Sequence, residues 1–192
     1  MDKILSTYNH GVCLFSVNVL YDFLKKEKIK SKKILEVFQK DKNRYLLSLE
    51  EGVWIPLAQI ASGEYVIKLE GFDEPFGDEW EQRMEYEGFN LDVSDGIWVS
   101  DIGSLLMFEA NEFCGTERTF EDGDGTLLHS DFKYNIPSGK YIVKIKGFIR
   151  KELLEFPHSN FGYLFSFFKV DEFNGYSNPR EEQYNFNLAD IE

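Results

Sequence analysis

The chain has 192 residues, enough for one full domain or two small fused ones with a core that needs neither disulfide nor metal. Its 34 acids against 21 lysines and arginines leave a net charge of −13, which argues against binding DNA, RNA or an anionic membrane, because gripping phosphate depends on Lys and Arg. The same charge speeds encounter with a basic partner, and the 18 Phe, 10 Tyr and 3 Trp suit pleated, half-buried surfaces.

Met1-Asp2-Lys3 lacks the charged region and small-residue cleavage site of a signal peptide, and Val12 to Leu24 is interrupted by Ser16, Asn18 and Asp22. Cys13 and Cys114 lack metal-type spacing and read as reduced, semi-buried thiols. A cytoplasmic location is expected. Val12 to Tyr21 alternates around Phe15, Val17 and Val19 and predicts a first strand. A helix competes, because Leu14, Val17 and Tyr21 share a helical face. The Lys-rich stretch Lys25 to Lys33 predicts an exposed connection or a short surface helix. Lys25 to Arg44 carries 9 of the 21 bases and 3 acids, so the rest of the chain holds 31 acids against 12 bases. Ile34–Phe38 and Arg44–Leu49, flanking a polar Gln39–Asn43, predict a hairpin. Pro56 confines Val53–Leu57 to a sheet edge or a strand end.

One phrase then occurs twice. Ser62-Gly63-Glu64-Tyr65-Val66-Ile67-Lys68-Leu69-Glu70-Gly71-Phe72 and Ser138-Gly139-Lys140-Tyr141-Ile142-Val143-Lys144-Ile145-Lys146-Gly147-Phe148 are identical at six of eleven positions. Three more differ only among Val, Ile and Leu. Both alternate apolar with polar residues after a turn signal, which predicts two related strands. The repeat predicts an all-β fold of antiparallel β-sandwich units in internal duplication: residues 1–93 and 94–192, each closed by Phe-Asn-Leu (Phe89–Leu91 and Phe186–Leu188), packed as two units or merged into one body. Trp80 to Val93, Ile97 to Val99, Ser104 to Ala110, Thr126 to Ile136 and Tyr184 to Leu188 are further strand candidates. Asp122-Gly123-Asp124-Gly125 is a hairpin turn, and Tyr163 to Val170 is expected to be a central strand.

No catalytic signature appears. The histidines, His10, His129 and His158, lie in unrelated settings, no Gly-x-Ser-x-Gly elbow occurs, and a strand would put Cys13 and His10 on opposite faces. Asp122–Gly125 opens like a calcium loop but fails at Leu127 and Lys133. No enzyme activity, metal or cofactor is therefore expected.

The most distinctive polar stretch is Glu70 to Glu87. It holds eight acids against Arg83, with bulky aromatics interleaved. A solvated face is one reading of it. The other is an interface, in which aromatic anchors supply affinity and a charged rim supplies steering. The candidate partner-binding residues are Asp73, Glu74, Phe76, Asp78, Glu79, Trp80, Glu81, Glu85 and Glu87.

Ser104-Leu105-Leu106-Met107-Phe108-Glu109-Ala110, together with Asp131-Phe132-Lys133-Tyr134-Asn135-Ile136-Pro137-Ser138-Gly139-Lys140-Tyr141, resembles the competence protein J family of bacilli. That family has an apolar strand ending in Phe-Glu-Ala and an Ile-Pro or Leu-Pro turn that opens a strand. The resemblance covers about a third of the chain, and no inhibitory residue transfers by motif. It implies a non-catalytic protein that inhibits a DNA-entry nuclease by binding it, in the manner of bacterial immunity proteins. The expected partner is thus a basic protein, a toxin or nuclease, with no nucleic acid and no membrane. The chain itself would be a monomer or a homodimer. Two alternatives stand beside this reading. One is a carbohydrate-binding or carbohydrate-processing sandwich using Trp54, Trp80 or Trp98 as a stacking platform. The other is a structural or assembly protein whose aromatics serve a homodimer.

Overall fold

The structure is a computed structural model that describes residues 2–155 and 157–190. Ten strands form two five-stranded sheets. The first sheet contains β1 (Lys3–Thr7), β4 (Gly63–Leu69), β10 (Phe161–Val170), β9 (Gly139–Arg150) and β5 (Trp80–Val93), in that order across the sheet. The second runs β3 (Trp54–Ala58), β2 (Gly11–Phe15), β6 (Ile97–Asp101), β8 (Leu127–Tyr134), β7 (Glu117–Glu121). All pairings are antiparallel except β10 with β4. Three helices, α1 (Val17–Lys26), α2 (Ile34–Lys40) and α3 (Lys42–Glu50), lie between β2 and β3 in the chain.

Strands β3, β2 and β6 of the second sheet are buried on both faces, while β7 and the start of β8 stay partly exposed, and the sequence shows why. Val12, Leu14, Ile55, Leu57, Ile97 and Val99 face the first sheet. Their neighbours Cys13, Phe15, Trp54 and Trp98 face the helices, where Leu20, Phe23, Ile34, Phe38, Tyr45 and Leu49 close a second core. A strand covered on both sides reads as a continuous apolar run, hence Gly-Val-Cys-Leu-Phe in β2. The first sheet is covered on one face. In β9, Tyr141, Val143 and Ile145 point inward, while Lys140, Lys144 and Lys146 alternate outward.

The expected hairpin over 34–49 is instead α2 and α3. Ile34, Leu35 and Phe38, then Tyr45, Ser48 and Leu49, are buried at helical spacing. Asp41, placed by sequence in a hairpin loop, caps α3, its Oδ1 accepting from Arg44 N at 3.0 Å. Residues 17–21 likewise belong to α1, because Val17, Leu20, Phe23 and Leu24 form one buried stripe. Ser104 to Ala110 is not a strand. Leu105 and Phe108 are buried while Leu106 and Met107 are exposed, a period near three, and the segment forms 3-10 turns. Residues 184–187 are not a strand either; Phe186 and Leu188 plug the core between the sheets, and Asn187 Oδ1 accepts from Ala61 N at 2.9 Å. Pro56 sits on β3, at a sheet edge, and β10 is the central strand of its sheet, both as the sequence predicts.

The repeated phrase forms β4 and β9, two strands of one sheet that flank β10 and run in opposite directions. What the copies share is a lead-in corner. Tyr65 donates its hydroxyl to Ala61 O at 2.7 Å, and Tyr141 donates to Pro137 O at 2.8 Å. Between each pair sits a glycine at positive φ, Gly63 at +158° and Gly139 at +147°. The strands differ in their neighbours, and residues from both sequence halves interleave in both sheets, so the halves share their cores. Cys13 is fully buried and Cys114 is exposed; both are free thiols.

Leu188 is fully buried against the core from the far end of the chain. Leu188→Ala is expected to cost about 2–5 kcal/mol in chemical denaturation, while the exposed Leu153→Ala stays within about 0.5 kcal/mol. Equal effects would contradict the plug.

Candidate interaction surface

Because β4 and β5 are separated by β10 and β9, the connection 70–79 must cross the outer face of the first sheet. It does so as a pinned strap. Asp73 Oδ2 accepts from Leu69 N at 2.8 Å and turns the chain back after β4. Phe76 then stacks on Phe148 of β9, with ring centroids 4.4 Å apart, and meets Trp80 edge-on at 4.8 Å. It can sit there because residue 162 is glycine: a Cβ on Gly162 would lie 2.5 Å from the Phe76 ring. Lys68 Nζ lies 5.0 Å from that ring and donates to Pro75 O at 3.4 Å. Trp80 is 7% exposed beneath the Arg150 guanidinium, 4.4 Å from its ring. Both candidate anchor aromatics thus face the sheet and hold the strap.

The seven acidic candidates fall into three places. Asp73 lies where β4 ends, and Glu74 is exposed on the strap. Glu85 and Glu87 lie against the lysines of the adjacent strand: Glu85 is 3.1 Å from Lys144 and 3.6 Å from Lys146, and Glu87 is 3.2 Å from Lys144. The hydrogen bond from Lys144, above all, holds the Glu85 carboxyl below its ordinary range. Such surface pairs add little stability but spend the negative field locally. Asp78, Glu79 and Glu81 form the third group, where β5 begins.

That third group belongs to a larger acidic end. Register brings Thr7, Gly63, Phe161, Arg150 and Trp80 to the same end of the first sheet, so the loops there are neighbours. Lys151 N donates to Glu79 O at 3.0 Å and Arg150 N to Asn160 O at 2.9 Å, bringing in Glu152 and Glu155. Glu64 opens β4 at this end. Tyr8 adds Asp122 and Asp124, because its hydroxyl donates to Asp122 Oδ2 at 3.4 Å and its ring meets Phe120 at 5.6 Å. Among the described residues, Glu64, Asp78, Glu79, Glu152, Glu155, Asp122 and Asp124 form no ion pair; Glu81 has Arg83 at 3.1 Å. Sequence reasoning missed Glu64, Glu152, Glu155, Asp122, Asp124 and Tyr8, because strand register alone gathers them. One signal was present: Glu64 stands where the second copy of the repeat has Lys140.

The remaining titratable cluster is structural. Asp131 is fully buried, accepts from Ser104 Oγ at 2.8 Å, and has Arg118 Nη1 at 3.4 Å. Burial pushes its carboxyl up, with Ser130, Ser104 and Arg118 opposing. Trp54 and Trp98 are fully buried in the second core, which leaves neither as a stacking platform for a sugar. Among the described residues no three His, Cys, Asp or Glu side chains are grouped to hold a metal ion, and no helix is long and apolar enough to cross a membrane.

Gly162→Val should push Phe76 off the sheet, lowering stability by about 1–3 kcal/mol and opening the strap to limited proteolysis between residues 70 and 79. Cleavage elsewhere first, or none, would contradict the pinning. Asp131→Ala should cost about 1–3 kcal/mol by leaving the Ser104 and Ser130 hydroxyls without their acceptor and Arg118 with Glu112 alone; a thermal melt unchanged from the parent would refute it. Comparison of the chain with protein-family models, curated proteins and solved structures found no match.

Proposed function

We propose that this chain is a non-catalytic protein that neutralises a basic protein by covering its cationic groove, the partner being a toxin of the nuclease class. The observation that carries the reading is the acidic end of the first sheet, where seven carboxylates from four chain segments gather around Arg150 and Lys151 and, among the described residues, form no ion pair. A nuclease grips its substrate with lysines and arginines placed for phosphates. An inhibitor that covers such a groove must present carboxylates in their stead, and unpaired carboxylates cost least to desolvate when the partner supplies the cation. Steering would come from Asp78, Glu79, Glu81, Glu152 and Glu155 at the rim, while the strap aromatics serve to hold the rim in place. The carbohydrate reading loses its stacking platform with the burial of Trp54 and Trp98.

The reading is tested by co-expression with a panel of DNA- and RNA-cleaving toxins. Growth is expected to recover with the cognate toxin. The triple variant Glu79→Lys, Glu152→Lys, Glu155→Lys should lose that rescue while keeping its melting temperature. With a purified pair, the association rate should fall at least about tenfold from low to high salt. Rescue that survives the charge reversal, or a salt-independent rate, would count against it.

A further inference from the structure

A cleft of about 400 Å³ opens at this acidic end, lined by Ser6, Tyr8, Ser62–Tyr65 and His158–Phe161. Its walls are prebuilt. Asn160 exchanges two hydrogen bonds with the backbone of Leu154, at 2.8 and 2.9 Å. Ser159 O accepts from Arg150 Nε at 3.1 Å, and Ser62 Oγ donates to Tyr8 O at 3.3 Å. Tyr65, fixed by its corner bond to Ala61, stacks near Phe161 with centroids 6.0 Å apart. At Gly63 a Cβ would meet nothing within 4 Å, so the lining there is open.

Three features of this cleft ask for the same ligand chemistry. Glu64 places a partly desolvated carboxylate in it, and that carboxylate forms no ion pair; burial raises its pKa. Tyr8 stands 51% exposed beside it, with Asp122 and Asp124 behind its hydroxyl. Ser159, only 6% exposed, lines the cleft, and its hydroxyl is buried with no hydrogen-bond partner among the described residues. Native proteins rarely leave such a group unsatisfied. An aromatic face next to an unpaired carboxylate suits a planar cation, which can stack on the ring and form charge-assisted hydrogen bonds at its edge.

We propose that the cleft between Tyr8, Glu64 and Ser159 receives a guanidinium group, that of an arginine side chain presented by the basic partner. A free amino acid would bring its own carboxylate into a field of carboxylates, whereas a side chain on a basic protein brings none. The inference rests on the reading that a basic protein meets this end of the molecule, and it names the pocket in which that protein is anchored.

The test uses N-acetyl-L-arginine amide as the probe, titrated into the isotope-labelled chain and followed by amide chemical shifts. Saturable shifts are expected at Gly63, Ser159 and Asn160. The uncharged isostere N-acetyl-L-citrulline amide should bind at least about tenfold more weakly, and Tyr8→Leu should weaken the arginine probe by about threefold or more. Glu64→Gln, a same-shape change at a side chain with no charged partner, should abolish saturation at an unchanged melting temperature. Equal binding of the citrulline probe, or shifts that survive Glu64→Gln, would overturn the pocket. Tighter binding of free L-arginine than of the blocked form would overturn its assignment to a partner's side chain. Failure here with the toxin rescue intact and sensitive to charge reversal removes the pocket alone; loss of the rescue result removes the functional reading.

Discussion

Three strands of the second sheet, β3, β2 and β6, have no wet face, and the rest of the architecture follows from that. Strands buried on both sides need two covers. One is the first sheet, through Val12, Leu14, Ile55, Leu57 and Val99. The other is the three-helix segment between β2 and β3, through Phe15, Trp54 and Trp98. The helices are therefore a lid on a core. Among the described residues five of the nine bases of the basic stretch pair with acids, Lys26 with Glu51, Lys32 with Glu109, Lys33 and Lys40 with Glu36, and Arg44 with Asp41, so its positive charge is partly matched within the protein. Because one sheet takes both covers, the other keeps an outer face and a loop-bearing end free to meet something else.

That freedom is used unevenly. Across the outer face the strap is pinned by Phe76 on Phe148, and Glu85 and Glu87 of β5 are matched by the lysines of β9. At the end of the sheet only Glu81 has such a match, Arg83; among the described residues the other carboxylates there form no ion pair. The negative field of the molecule is thus neutralised over the flat of the sheet and left standing at one rim, a distribution that composition alone does not reveal.

Much of the strand content was legible from alternation. Lys140 to Arg150 keeps a period of two, because it has one face in the core and one outside, whereas Phe161 to Val170 reads as a near-continuous apolar run whose residues 162–166 are buried on both faces in mid-sheet. Of the helices only α1 was half legible, as the competing reading on the face shared by Leu14, Val17 and Tyr21; α2 and α3 were not. Ile34-Leu35-Glu36-Val37-Phe38 is too short for its period to separate helix from strand, and an acid that caps a helix looks like an acid in a turn. The apolar pair Phe186 and Leu188 announces burial but not strand pairing, and only three-dimensional packing shows it as a plug. The acidic loop was legible as acidic. Its division into strap, lysine-matched pair and rim depends on strand order, which places β4 and β5 at positions two and five of one sheet. The cleft was the least legible of all, since Tyr8, Glu64 and Ser159 meet only through the register of β1, β4 and β10.

The parallel pairing of β4 with β10 sets Tyr65 beside Phe161, and it carries a consequence for how the molecule assembles. Closing a loop that long is slow compared with forming the helices or the β7–β8 hairpin. Until β10 arrives, one side of β4 is an open row of backbone donors and acceptors, the kind of edge on which chains associate wrongly. The outward residues of β4 on that waiting strand are Glu64, Val66 and Lys68, so two of the three are charged. Those same charges, settled at the end into the cleft and the strap, serve in the interim as guards against self-association.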